Sequence, residues 1–303
     1  MHVMGRTGRA MHGPVVASIF IADSAYKTSA RAIFHPKNPG TKRYHRPMST
    51  HYETLPHAET YREAFAVDPP EALGERHLWP RKPGFFIVHA TTAAAISPPT
   101  VAKATTDVET HALADAPTEA PESNTERVLI PAQWGLVPHW VKSASDAKLR
   151  APKLVNAKSD TASTGTAFRD AWLGGQRCIV PMAAFYEDDL RSGKAVPTRI
   201  ARVDGKPMGV AGLWARWQGS DGEVIISYCL LTVNANNHAL LHRYGQPGSE
   251  KSMPAILNEG AYDAWLTARP EKAKEFMRQY AANWLLANPV EKKSDKVPKA
   301  LLG

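Results

Sequence analysis

The spacing of apolar and polar residues predicts helices in three parts of the chain. In ETYREAFAV, Tyr61, Phe65 and Val67 fall near one face of a helix. GAYDAWL (260–266) predicts the start of a short helix, with Gly260 ahead of the apolar spacing. EKAKEFMRQYAANWLLA (271–287) has an amphipathic pattern after Pro270 and predicts a longer one.

Short apolar segments rich in β-branched and aromatic residues predict strands. They are FFIVHA (85–90), RVLIPAQWGLVP (127–138, with its turn), RCIVPMAAFYE (177–187), MGVAGLWARW (208–217) and VIISYCLLTV (224–233). Irregular loops separate them, so the sequence predicts a mixed, mostly antiparallel sheet and an α+β fold.

Segments without periodicity define the domain boundaries. Residues 1–47 are rich in Arg, Lys, His and Pro and predict a basic, disordered extension. A single domain is then expected over 48–290, followed by a basic tail at 291–303. Within the domain, residues 91–126 are rich in Ala, Thr, Pro and Glu and predict an inserted low-complexity loop.

Composition narrows the class of protein. Hydrophobic residues make up 43% and charged residues 22%, which is typical of a globular protein. The net charge of +8 favours a polyanionic partner such as nucleic acid and a solvated basic surface about equally. Cys178 and Cys229 lie in apolar segments and predict core thiols, not a disulfide framework. Without an apolar run long enough for a membrane span, a cytoplasmic protein is the simplest interpretation.

The search for catalytic motifs leaves three candidate segments. Phosphate-binding glycine loops, zinc motifs and hydrolase elbows are missing from the sequence, so neither a nucleotide cofactor nor a metal is predicted. The first candidate is WGLVPHW, where Trp134 and Trp140 bracket a turn. By base rate both indoles pack in the core, whereas in a basic cleft such a turn could stack on a base.

Two further segments supply polar chemistry. In NAKSDT, Asn156 could orient a substrate oxygen and Lys158 could neutralise a phosphate, although the segment alone favours an ordinary turn with a helix cap. Glu187 ends an apolar strand beside Phe185 and Tyr186. Partial desolvation there would raise the pKa of its carboxyl toward the range useful for proton transfer, and an exposed strand end is the alternative.

Six segments occur in a fixed order along the chain: WGLVPHW, VNAKSDT, FRDAW, RCIVPMAAFYE, RIARVDGKPMGVAGLWARW and EKSMPAILNEGAYDAWL. This ordered set resembles the SOS response-associated peptidase family, whose members are also called abasic-site processing proteins. The resemblance covers about residues 48–266, interrupted by the insertion at 91–126. It implies an α+β fold with a barrel-like β core, and a monomer that binds single-stranded DNA in a basic groove during the DNA damage response.

The resemblance also implies a chemistry. In the family, removal of the initiator Met exposes a cysteine whose amine attacks the aldehyde of an opened abasic sugar. Its thiol then closes the adduct into a thiazolidine cross-link, while an Asn, a Glu and a His line the site. Proteolytic self-removal of a leader peptide is attributed to the family as well.

Motif by motif, the family's Asn falls on Asn156 and its Glu on Glu187. Lys158 falls on a position that is usually Arg, which keeps a phosphate-binding charge but loses the forked geometry. DNA contacts are predicted for the following residues: Trp134, Pro138, Lys158 and Arg169.

Two positions depart from the family pattern. The family start best matches Met48-Ser49, so a serine replaces the nucleophilic cysteine. An oxazolidine formed by Ser49 would hydrolyse more readily than a thiazolidine, and residues 1–47, if retained, acylate the Ser49 amine. Gly245 stands at the place of the family's His, and His242 is the predicted substitute.

These departures leave three hypotheses. The protein could retain imine chemistry through Ser49, Asn156, Glu187 and His242. It could instead be a catalytically disarmed module that binds single-stranded DNA. The third hypothesis is a peptidase that removes its own leader ahead of Ser49.

Overall fold

A computed structural model of the protein describes residues 50–96 and 126–290. All of them fall within one compact unit. The extension predicted for 1–47, the tail predicted for 291–303 and Ser49 lie outside the described residues, as does most of the insertion predicted for 91–126.

Strands dominate the described part of the chain. They are β1 (Tyr52–Glu53), β2 (His77–Leu78), β3 (Pro83–His89), β4 (Arg127–Trp134), β5 (Asn156–Lys158), β6 (Arg177–Met182), β7 (Ala184–Asp189), β8 (Val196–Arg202), β9 (Met208–Gln218), β10 (Val224–Asn234), β11 (Ser252–Pro254), β12 (Ile256–Leu257) and β13 (Leu285–Pro289). The α-helices are α1 (Ala58–Phe65), α2 (Ala90–Ile96), α3 (Ala144–Arg150), α4 (Arg169–Leu173), α5 (Tyr262–Leu266) and α6 (Pro270–Ala273).

Five strands close into a barrel in the order β10-β4-β3-β6-β9 and back to β10. Every pairing in this ring is antiparallel except that of β10 with β4. Three short strands extend it, because β5 and β11 pair with β10 and β12 pairs with β9. The predicted α+β fold with a mixed, mostly antiparallel, barrel-like core is therefore confirmed.

A second sheet, in the order β13-β8-β7-β1-β2, is antiparallel throughout. The chain enters it at Ala183, whose N–H donates to the Glu53 carbonyl of β1 at 2.9 Å. RCIVPMAAFYE, predicted as one strand, is consequently two strands in two sheets. The apolar pattern is continuous because β6 and the first half of β7 are both buried.

Large side chains fill the interior under these strands. The Tyr52 and Tyr228 hydroxyls bond each other at 2.6 Å, and a Cβ added at Gly84 would lie 2.3 Å from the Tyr228 oxygen. Only glycine therefore leaves room for this pair. Cys178 and Cys229 are free and buried, as predicted for core thiols, and burial raises the pKa of Cys229 to about 12.

The helix predictions had mixed outcomes. Tyr61 and Phe65 form the buried face of α1, as predicted. The helix predicted over 271–287 is wrong, because only its first turn, in α6, is α-helical and its last residues form β13. Leu286 and Trp284 are about half exposed, so the apolar positions do not share one buried face.

The predicted loop at 91–126 is wrong at its start, where α2 continues to the buried Ile96. Among the described residues, none of the helices has the length and apolar character needed to cross a bilayer.

Candidate active site

Glu187 lies in the middle of the second sheet, at the half-buried end of β7. β7 pairs with β8 on one side, where Thr198 lies opposite Glu187, and with β1 on the other. The Tyr186 N–H donates to the His51 carbonyl at 3.1 Å, which extends the β1 register toward Thr50. Because β1 and β7 are antiparallel, the chain ahead of Tyr52 runs along β7 toward Glu187. The first described residues of the domain therefore lead to the predicted acid/base.

Three aromatic rings stack beside this strand end. The His51 ring is sandwiched between Tyr186, at 4.0 Å between centroids, and Trp79, at 4.1 Å. The outer ring, Trp79, is 47% exposed. His51 also bonds His77 through its ring nitrogens at 3.0 Å. Burial, followed by the charge of His77, lowers the His51 pKa to about 4, so His51 is neutral at pH 7.

A buried carboxylate anchors the inner ring of the stack. Glu53 accepts a hydrogen bond from the Tyr186 hydroxyl and two from Arg199, at 3.0 and 2.9 Å. Burial alone would raise the pKa of Glu53, but these hydrogen bonds outweigh burial and lower it. Burial and the bond to Glu53 raise the Tyr186 pKa to about 12. The inner end of the stack is thus rigid, whereas its outer end faces solvent.

The loop before β11, residues 245–251, contacts the end of β7 next to Glu187. The Gly245 N–H donates to the Asp188 carbonyl, next to Glu187, at 2.9 Å. Gly245 has φ of +72°, a left-handed conformation that glycine adopts without strain. Lys251 lies at the end of this loop, and its Nζ donates to the Gln246 carbonyl. Burial lowers the Lys251 pKa, and the negative charge of Glu187 partly offsets that effect.

Asn156 and Lys158 are the first and last residues of β5. Of the six residues 156–161, for which a turn was predicted, the first three form a strand parallel to β10, with Asn156 opposite Leu230 and Lys158 opposite Thr232, and the turn begins at Ser159. Lys158 forms an ion pair with Glu250, the residue before Lys251. The loop at 245–251 therefore joins the end of β5 to the end of β7.

His242 lies in a short 3₁₀ turn, Leu241–Arg243, ahead of this loop. Its side chain is exposed, and its Nδ1 donates to the His238 carbonyl at 2.8 Å. Gly245, not His242, is the residue in backbone contact with β7. The substitution of His242 for the family's His stays a prediction.

The predicted DNA-contact residues lie in different environments. Trp134 is 0% exposed, and its Nε1 donates to the Val155 carbonyl at 3.1 Å, so the structure corrects its assignment as a base-stacking residue. An indole with no accessible face cannot stack on a nucleotide. Pro138 is buried as well, whereas Arg169 is exposed at the start of α4. Trp140 is half buried, with the Arg150 guanidinium 5.2 Å from its ring centre.

Sequence reasoning missed two residues of this site. Trp79 lies in DPPEALGERHLWPRKPG (68–84), where the Pro and Gly residues indicate a loop, and Lys251 was not singled out within EKSMPAIL. The only local signal was an aromatic residue and a lysine in polar loops. Such residues are common on protein surfaces, so they did not indicate a site. In the described ranges 50–96 and 126–290, we find no group of three or more His, Cys, Asp or Glu side chains suited to a metal ion.

Fold and site together define a class of small β-barrel proteins in which a carboxylate, an aromatic stack and cationic side chains meet where the first strand of the domain begins. The model of one family, SOS response associated peptidase (SRAP), matches residues 47–297. The chain belongs to this family.

Individual relatives agree with that assignment. The abasic site processing protein HMCES of Gallus gallus is 29% identical over 177 residues, which are 51% of this chain and 50% of the relative. The abasic site processing protein YoqW of Bacillus subtilis is 28% identical over 155 residues, or 50% of this chain and 64% of the relative. The chain thus spans half to just under two thirds of these relatives.

A solved structure covers more of the chain. A protein from Bordetella bronchiseptica is 36% identical, with a TM-score of 0.65, and the match covers 80% of this chain and all of that one. A phage-related protein from the same organism, at 16% identity and a TM-score of 0.51, shares the fold.

Proposed function

We propose that this protein binds single-stranded DNA at abasic sites and processes the lesion through imine chemistry, with Glu187 as the acid/base. The observation that supports this most is the pairing of β1 with β7, which directs the chain at Thr50 toward Glu187. Relatives named abasic site processing proteins support the same substrate. We further propose that the protein acts as a cytoplasmic monomer in the response to DNA damage.

DNA binding would use the aromatic stack and the cations around it. Trp79 offers an exposed indole face, and bases stack on such faces without sequence preference. Arg76, Arg81 and Lys82, on the same segment, are exposed and positive. The net charge of +8 adds a field that attracts phosphates. Affinity is therefore expected to fall as salt rises.

The chemistry would need an amine and a proton carrier. A free Ser49 amine would attack the aldehyde of the opened sugar, Glu187 would move protons during loss of water, and Asn156 would orient the sugar oxygen. A serine hydroxyl closes a less durable ring than a thiol. Cys178 and Cys229 cannot substitute, because both are buried in the barrel.

Replacing Glu187 tests the acid/base role. Protein beginning at Ser49, verified by mass, is mixed with abasic single-stranded DNA and borohydride, which reduces an imine to a stable adduct. Because general acid/base catalysis contributes about 10²- to 10⁴-fold, trapping by Glu187→Gln should slow by that order. Binding to DNA with a non-reactive abasic analogue should be retained.

The matched control is Glu63→Gln, which neutralises an exposed carboxylate on α1. It should trap at the wild-type rate. Equal trapping by wild type and Glu187→Gln would contradict the role of Glu187, and failure of wild type to bind abasic single-stranded DNA would contradict the proposed function.

The serine at position 49 favours a second candidate, a disarmed paralogue that binds the lesion without a durable cross-link. Ser49→Cys, with Met48 removed, should then gain a heat-stable adduct without borohydride, because the thiol can close a thiazolidine. Ser49→Ala is the matched control and should form none. A heat-stable adduct with the wild-type protein would reject this candidate.

A further inference from the structure

Lys251 carries an amine that an ordered loop places near the end of β7, where the charge of Glu187 acts on it. Its N–H donates to Asn236 Oδ1 at 2.7 Å, and its carbonyl accepts from the Ala235 N–H at 2.8 Å. Two backbone bonds therefore fix the Cα position from which the side chain extends.

The side chain of Lys251 returns across the loop toward β7. Its Nζ donates to the Gln246 carbonyl, and a Cβ built on Gly245 would lie 3.9 Å from Nζ. Gly245 is itself bonded to the Asp188 carbonyl. The lysine amine therefore lies next to Gly245, near the end of β7.

The electrostatic surroundings of Lys251 differ from those of its neighbour Lys158. The Lys158 ammonium is paired with the Glu250 carboxylate. Lys251 bonds a neutral carbonyl, and burial lowers its pKa despite the charge of Glu187. Relative to a fully solvated lysine, a larger fraction of the Lys251 amine is consequently neutral, which is the nucleophilic form.

We propose that Lys251 is an imine-forming nucleophile of this protein, reacting with an aldehyde bound against Glu187. The inference rests on the proposed function for the nature of the aldehyde, which is the C1′ carbonyl of an opened abasic sugar. It supplies an amine that does not depend on a free terminus at Ser49.

The reaction balances without an oxidant or reductant. Glu187 takes a proton from the Lys251 ammonium, and the Nζ lone pair forms a bond to the aldehyde carbon as the carbonyl π pair moves to oxygen. That oxygen takes the proton back from Glu187. A second proton, transferred from nitrogen through Glu187, lets the hydroxyl leave as water while the C=N bond forms. The Lys251 ammonium and the aldehyde thus give a protonated imine and water, and Glu187 ends as the carboxylate with which it began.

The test uses the full chain with residues 1–47 attached, verified by intact mass, so that the Ser49 amine is part of a peptide bond. Abasic single-stranded DNA and borohydride are added, and the adduct is digested and mapped by mass spectrometry. The adduct is expected on the peptide that contains Lys251. Lys251→Arg keeps the positive charge but removes the nucleophile, so trapping should fall about tenfold or more.

Lys272→Arg is the matched control, since Lys272 is an exposed lysine on α6 that forms an ion pair with Glu275. It should trap as wild type does, and all three proteins should bind DNA carrying a non-reactive abasic analogue equally. Mapping to any other amine, an undiminished yield with Lys251→Arg, or binding without an adduct would each overturn the role of Lys251 and leave the proposed function standing. Loss of binding by the wild type would overturn both.

Discussion

At the scale of single residues, Glu187 and Lys251 differ in how far the neighbouring sequence indicates their role. Glu187 ends an apolar strand next to two aromatic residues, and this local context is enough to predict a partly desolvated carboxylate. Lys251 has no such context, because its position depends on a loop that folds back to Asp188. Its position near Glu187 therefore depends on contacts between residues that are far apart in the sequence.

His51 yields a prediction at the same scale. Its pKa of about 4, below the usual 6.5, is caused first by burial between Trp79 and Tyr186 and then by His77. The unfolded chain therefore binds the proton first. The stability contributed by neutral His51 is complete above about pH 6.5 and is lost as pH falls toward 4.

An NMR titration of the His51 ring measures that pKa directly. In His77→Ala it should move up, because one of the two causes of the depression is removed, and the loss of stability on the acid side should shrink. His57→Ala, at the start of α1, serves as control and should leave the His51 titration in place. A His51 pKa near 6.5 in the wild-type protein would show that the stack does not form.

At the scale of elements, the strands were easier to predict than the helices. The strands β3, β9 and β10 are buried along most of their length and are visible as continuous apolar segments. The 271–287 segment misled because its apolar residues have helical spacing, although β8 is available to pair with its last residues. Backbone pairing with a distant strand outweighed the local preference.

Trp134 connects two elements and gives a second prediction. It ends β4, and its indole N–H bonds the Val155 carbonyl just ahead of β5, where Asn156 and Lys158 begin the other side of the site. Trp134→Phe removes this hydrogen bond and leaves a smaller ring in the core, while the Val155 carbonyl keeps the Leu230 N–H at 2.9 Å. We expect a loss of about 1–3 kcal/mol in the free energy of unfolding from the missing hydrogen bond and the cavity, measured by urea denaturation, with DNA affinity retained.

Trp79→Ala should have the opposite effect to Trp134→Phe, lowering DNA affinity rather than stability. Removal of the exposed ring should weaken single-stranded DNA binding by about 1–3 kcal/mol, the value of one base stack, and change stability little. If Trp134→Phe lowered DNA affinity at unchanged stability, the indole of Trp134 would have to reach a base, and its position in the core would be contradicted.

At the scale of the whole molecule, barrel closure determines where the site forms. β10 pairs with four other strands along its length, so that β4, β5, β9 and β11 meet around one long strand. The switch of the chain at Ala183 then joins the barrel to the second sheet, where β1 meets β7. Segments far apart in sequence thereby surround Glu187.

The amino-acid sequence by itself determined the α+β class, the barrel strands, the core thiols and the ordered motifs that include Asn156 and Glu187. These properties depend on local composition and on the period of apolar residues, both of which are visible without folding. The tertiary structure decided that Trp134 is buried, that Trp79 is exposed on a ring stack, and that the Lys251 amine lies near the end of β7, where the charge of Glu187 acts on it. Each of these depends on strand partners and loop closure, which bring distant residues together and leave no mark on their immediate neighbours in the chain.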